Sequence, residues 1–114
     1  MEAVAKLRNL SISARKISLL ADLIRGKRIA MALAILNNRP QQAALPLKKL
    51  LLSALANWQN KNNAGLSLED ACMVVKKITV DRAGMLKRVM PAPRGMAHRV
   101  RKRSSHVMIM VDAP

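Results

Sequence analysis

The chain has 114 residues, 51% of them hydrophobic, and sets 21 Lys and Arg against 6 Asp and Glu. That length supports one domain with a modest core, and the apolar content excludes a disordered polycation. A formal net charge of +15 on so small a body repels itself and requires a polyanion, nucleic acid first and an anionic membrane surface second.

No apolar run reaches the roughly 18 residues that a membrane span requires. The start, Met1-Glu2-Ala3-Val4-Ala5-Lys6, lacks the basic region and apolar stretch of a signal peptide. One cysteine, Cys72, excludes an intramolecular disulfide and fits a reducing cytosol. A soluble, cytoplasmic single domain over residues 1–114 is expected. Trp58 is the sole aromatic residue, so the chain cannot build the stacking platforms with which many modules grip single-stranded RNA. It must work through phosphates, sugars and shape.

In chain order, residues 2–8 alternate, with Ala3, Ala5 and Leu7 opposite Lys6 and Arg8, and predict a short half-buried strand. A first helix is expected from Ala14, with Ser13 as N-cap. Its apolar face would be Ala14, Ile17, Leu20, Ala21 and Ile24, with Arg15, Ser18, Asp22 and Arg25 opposite. Gly26 stands where a left-handed C-cap belongs, with Arg25 in the last turn. A second helix fits Ile29 to Leu36, ended by Asn37-Asn38-Arg39-Pro40.

A third helix runs from the low forties to about Asn60. Ala44, Leu47, Leu51, Ala54, Leu55 and Trp58 form its stripe, and Lys49, Ser53, Asn57 and Asn60 its wet side. Pro46 requires that the regular helix start near it or kink there. Asn60 to Gly65 reads as a loop. The period then changes to two: Val74, Lys76, Ile78 and Val80 alternate with Val75, Lys77 and Thr79. Val107, Ile109 and Val111 alternate with His106, Met108 and Met110 as the partner strand. Met108 and Met110 read as core filling.

Residues 82–105 differ from the rest. They hold Arg82, Lys87, Arg88, Arg94, Arg99, Arg101, Lys102 and Arg103 and no acidic residue, centred on the turn Pro91-Ala92-Pro93-Arg94-Gly95. The simplest geometry is a long hairpin extending the two strands outward, with an arm of roughly 25 Å at about 3.3 Å per residue. Pro91 and Pro93 would limit pairing at the tip, and Gly95 permits positive φ. Such a ribbon is marginal alone, and opposed cations weaken it further. It makes sense among phosphates. The plain alternative is a solvated basic loop, and composition alone does not choose RNA over DNA.

Catalysis has little support. Cys72, His98, His106 and Asp81 are the available nucleophiles or bases, and no motif links them. Cys72 reads as a small core residue, and His106 as an RNA contact or a surface histidine. One Cys and two scattered His give no metal-ligand spacing, so neither metal nor cofactor is expected. The strongest rival is an architectural DNA-binding protein with a basic β-arm. A membrane-surface role is weaker, because the arm has no Trp or Phe to insert.

Several segments resemble large-subunit ribosomal protein twenty-two. Ala14-Arg15-Lys16 followed by Leu20-Ala21-Asp22-Leu23-Ile24-Arg25-Gly26-Lys27 is similar to its first helix, and Ser53-Ala54-Leu55-Ala56-Asn57 to its third. Leu86-Lys87-Arg88-Val89-Met90-Pro91 and His98-Arg99-Val100-Arg101-Lys102-Arg103-Ser104-Ser105-His106-Val107 resemble its hairpin and closing strand. The resemblance implies an α+β fold: three helices on a small, mostly antiparallel three-stranded sheet, with a long extended β-hairpin arm. Its body would be residues 1–81 and 106–114, and its hairpin about 82–105.

By the same resemblance, Lys87, Arg88, Arg99, Arg101, Lys102 and Arg103 would hold large-subunit ribosomal RNA along the arm. Arg15, Lys16, Arg25, Lys27 and Arg28 would anchor the body. Lys6, Arg8, Arg82, Arg94 and His106 complete the candidate RNA-binding set. Met90, Pro91, Ala92, Pro93, Arg94, Gly95 and Met96 would form a tip lining the peptide exit tunnel. The partners implied are ribosomal RNA, neighbouring large-subunit proteins and the nascent peptide, with no membrane and no homo-oligomer. The tip departs from the family's more arginine-rich pattern, reading Pro91-Ala92-Pro93-Arg94-Gly95-Met96-Ala97.

Overall fold

Strand β1 (Ala3–Leu10) turns Ala3 and Ala5 inward and Lys6 and Arg8 outward, the alternation its sequence predicts, and runs on past residue 8. The structure, a computed structural model, describes residues 2–62 and 73–112. Helix α1 (Ala14–Ile24) buries Ile17, Leu20, Ala21 and Ile24 completely, as a 3.6-residue period requires. Ser13 is its N-cap, but the side chain makes no capping bond. At the other end Gly26 takes φ +76°, the left-handed conformation that ends helices. Arg25 lies just beyond the last turn, as the C-cap.

Helix α2 (Ile29–Asn37) follows, then α3 (Ala44–Asn62). Pro46 stands near the start of α3, two residues after Ala44, as one of the two expectations for it requires, and does not break the helix. It sits in the first turn, where its missing N–H has no intrahelical partner to lose. All six predicted stripe residues of α3 are buried. Asn60, Lys61 and Asn62, expected to open a loop, belong to helix α3. Residues 63–65 and Cys72, read as loop and core, lie outside the described residues.

Strand β2 (Val74–Arg82) pairs antiparallel with β5 (Ser105–Asp112), and β5 pairs antiparallel with β1, giving the order β1-β5-β2. The helices cover one face. Val107, Ile109 and Val111 point into that core, as alternation predicts. The predicted faces of β2 do not hold. Val75 and Ile78 are both buried although three residues apart, because the register shifts by one between Val75 and Lys77. Lys76 is the bulged residue, and a bulge moves side chains to the other face. Met108 and Met110 are also corrected: they alternate with the core residues and lie half-buried on the sheet's outer face.

Both sheet edges are partly covered. On the β2 side the Gly26 N–H donates to the Val75 carbonyl and the Val75 N–H to the Lys27 carbonyl, each at 3.0 Å. The Arg25 guanidinium donates to the Ile78 carbonyl at 3.2 Å. On the β1 side Asn57 Nδ2 donates to the Val4 carbonyl at 3.1 Å, and Lys61 Nζ to the Glu2 carbonyl at 2.8 Å. Free edges invite further pairing, and these bonds cover the Glu2–Val4 end of one edge and the Val75–Ile78 stretch of the other.

Beyond Arg82 and Ser105 the chain forms a separate two-stranded ribbon, β3 (Leu86–Pro91) with β4 (Ala97–Lys102). It prolongs the body sheet through an offset neck. Four residue steps lead from Arg82 to Leu86 against three from Ser105 to Lys102, while both end pairs are in register. The molecule measures 63 × 25 × 17 Å. No helix among the described residues is long and apolar enough to cross a membrane.

Candidate nucleic-acid interface

The ladder of the ribbon assigns each arm side chain to a face. Directly opposed residues share a face in an antiparallel pair. Lys87 opposite Arg101, Val89 opposite Arg99 and Pro91 opposite Ala97 therefore make one face. Leu86 opposite Lys102, Arg88 opposite Val100 and Met90 opposite His98 make the other. The first face stacks three cations, and the second mixes two cations, a histidine and apolar side chains. Every one of these basic residues is exposed. Arg88 donates a hydrogen bond to the neighbouring Lys87 carbonyl, at 2.9 Å.

At the tip Pro93–Gly95 form one 3-10 turn, closed by the Ala92 N–H donating to the Met96 carbonyl at 2.8 Å. Gly95 takes φ +71°, as expected, but Arg94 before it takes φ +65° as well. A left-handed arginine is strained. No sequence signal distinguishes it, because a Pro-Arg-Gly turn does not say which residue takes the unusual conformation.

The arm's root meets the start of α1. A cleft of about 910 Å³ is lined by Lys16, Arg101, Lys102 and Arg103 together with Asn9, Gln42 and Met85. A second, of about 400 Å³, brings Arg15 to Arg82, Arg101 and Arg103. Six of the predicted cations thus converge where body and arm join, and no carboxylate lines either cleft. Lys27 and Arg28 do not join them. They flank the Val74 end of β2, with the arm at the Arg82 end. Lys6 and Arg8 lie on β1, beside a shallower cleft that also holds Asp81 and His106.

Arg25 is partly committed elsewhere, with Nη1 at 2.5 Å from Asp22 Oδ1 and Nη2 on the Ile78 carbonyl. His106 has a structural tie: its Nδ1 accepts the Asn9 N–H at 3.1 Å. That bond leaves Nε2 to carry the proton in the neutral ring. Asn9 holds φ +56° in the irregular stretch where β1 and β5 lose register. Sequence reasoning missed Asn9 and the neck residues Met85 and Ser104, which have no distinguishing composition.

Among the described residues no group of three His, Cys, Asp or Glu side chains could hold a metal. No catalytic arrangement joins His98, His106 and Asp81. Asp81 and His106 face each other across β2 and β5, and His98 belongs to the arm.

The ribosomal protein L22p/L17e family matches residues 5–112. The chain is 52% identical to the large ribosomal subunit protein uL22 of Flavobacterium johnsoniae, over 97% of this chain and 80% of that protein. The Christiangramia forsetii protein of that name is 51% identical over 97% of this chain and 82% of its own length. The one from Porphyromonas gingivalis is 47% identical over 95% and 79%. The matched span runs from the first strand to the last and includes the whole arm, so the chain belongs to the ribosomal protein L22p/L17e family, as a non-enzymatic structural constituent of the large ribosomal subunit.

Proposed function

We propose that the protein staples separate segments of large-subunit ribosomal RNA together, supports assembly of the subunit, and lines the peptide exit tunnel with residues 90–96. The observation that carries this reading is the arm: an extended ribbon of exposed cations without one carboxylate, joined to the body at two basic clefts. Such a ribbon gains little from its own packing. RNA phosphates would offset its repulsion. Arm and body would each neutralise a different RNA segment, and the fold would fix their spacing. Neighbouring large-subunit proteins and the nascent peptide are the remaining partners of this reading, with a single copy of the chain per subunit. The architectural DNA-binding alternative is set aside by family membership.

Engaging roughly five to ten phosphates gives a slope of log affinity against log salt of about −4 to −9. Tagged protein from lysate, sedimented through a high-salt sucrose gradient, should stay with the large subunit. Recovery at the top of the gradient, or with chromosomal DNA, would defeat the proposal.

A further inference from the structure

Ser105 stands at the boundary between body and arm. It is the one buried polar residue among those described, with 0% of its surface exposed. Its backbone lies in register with Arg82 on one side and Leu10 on the other, the last body pairs before the neck. Its hydroxyl donates to the Ile12 carbonyl at 2.7 Å, on the turn between β1 and α1. On the arm side of this point only the Ala83 N–H to Ser104 carbonyl bond, at 3.0 Å, and the Ser104 hydroxyl to Gly84 carbonyl bond hold the offset strands together. Around Gly84 there is open space, with nothing within 4 Å of where a Cβ would stand.

We propose that Ser105 is a positioning residue: its buried bond to the Ile12 carbonyl locks the root of the arm to the β1–α1 turn and so sets the arm's direction. Buried from the surface, the bond is directional, and without the hydroxyl the Ile12 carbonyl loses this donor. The neck beyond it is narrow and offset, so this is where the ribbon's angle is decided. The lever is long. Ten residues from Gly84 to Arg94 span about 30 Å, so a swing of roughly 10° at the neck moves the tip by about 5 Å. A displacement of that size would move the tip cation Arg94 relative to the cations at the root and on α1. The functional weight of the lock rests on the arm being the RNA-binding element, but its geometry is tested without RNA.

The test is a pulsed electron-spin distance measurement on the free full-length chain. Spin labels are placed at Ala56→Cys on exposed α3 and Met96→Cys at the tip, in a Cys72→Ser background. Ser105→Ala should broaden the body-to-tip distribution by up to about 5 Å, the lever estimate above, and Ser105→Thr, which keeps the donor, should restore its width. Val107→Ala, a core truncation one inward position along the same strand, controls for general loosening and should leave the width unchanged while lowering the melting temperature. An alanine variant as narrow as the parent, a threonine variant as broad as the alanine one, or a Val107→Ala variant equally broad would each overturn the lock. Salt-dependent RNA affinity, measured separately, then distinguishes failure of the lock from failure of the RNA-binding reading.

Discussion

Lys87 and Arg101 face each other directly across the arm, two cations in one cross-strand pair on strands that carry no acid. Like charges so placed are destabilising, and opposite charges contribute roughly 0.2–1 kcal/mol. Lys87→Glu should therefore slow amide exchange along β3 and β4 in the free protein while weakening RNA binding. If both properties improve together, the arm's charge does not serve RNA.

The triple variant Arg99→Ala, Arg101→Ala, Arg103→Ala should flatten the salt dependence of RNA affinity by about 2 to 3 in slope, one phosphate per side chain. The body core contains none of the three, so the melting temperature should stay near that of the parent. An unchanged slope would sink the arm's proposed role.

Core and arm should respond oppositely to truncation. Leu51 is fully buried, whereas Val89 is 71% exposed. Leu51→Ala should cost about 2–5 kcal/mol in urea unfolding. Val89→Ala should stay within about 0.5 kcal/mol of the parent.

Alkaline pH gives a further test. The hydrogen bond from Lys76 to Glu2, aided by the Glu2 charge and by Asp112 with its Oδ2 at 3.9 Å, holds the Lys76 ammonium above its ordinary value of 10.5. A raised folded-state value stabilises below the unfolded value and loses that contribution as pH rises through the folded one. The difference in urea stability between the parent and Glu2→Gln should be constant between about pH 7 and pH 10 and shrink above 10.5. A difference that grows with pH would show that the pair does not hold Lys76 charged.

The body was largely legible because its helices carry uninterrupted 3.6-residue stripes, with Ile17, Leu20, Ala21 and Ile24 all falling inside. The bulge at Lys76 was not, since one inserted residue leaves the composition of a Val-rich strand unchanged, and it moved Val75 and Ile78 onto the same face. Basic composition marked the arm, but only the register shows that Lys87 opposes Arg101 and not a hydrophobic residue. The convergence of Arg15 and Lys16 with Arg82, Arg101 and Arg103 was invisible for another reason. It depends on where the neck leaves the sheet, a tertiary relationship between segments some 70 to 90 residues apart in the chain.

The partly covered edges of the body sheet carry a consequence for copy number. Arg25, the residue 26–28 link, Asn57 and Lys61 occupy its flanks, whereas β3 and β4 form a sheet of two strands, each with one outer side unmatched. The arm's unmatched hydrogen-bonding groups thus lie where the proposed RNA would cover them. Copies made in excess of RNA keep that ribbon uncovered, open to proteases and to strand exchange with one another. Surplus synthesis should therefore show up as selective clipping within the arm before any loss of the body.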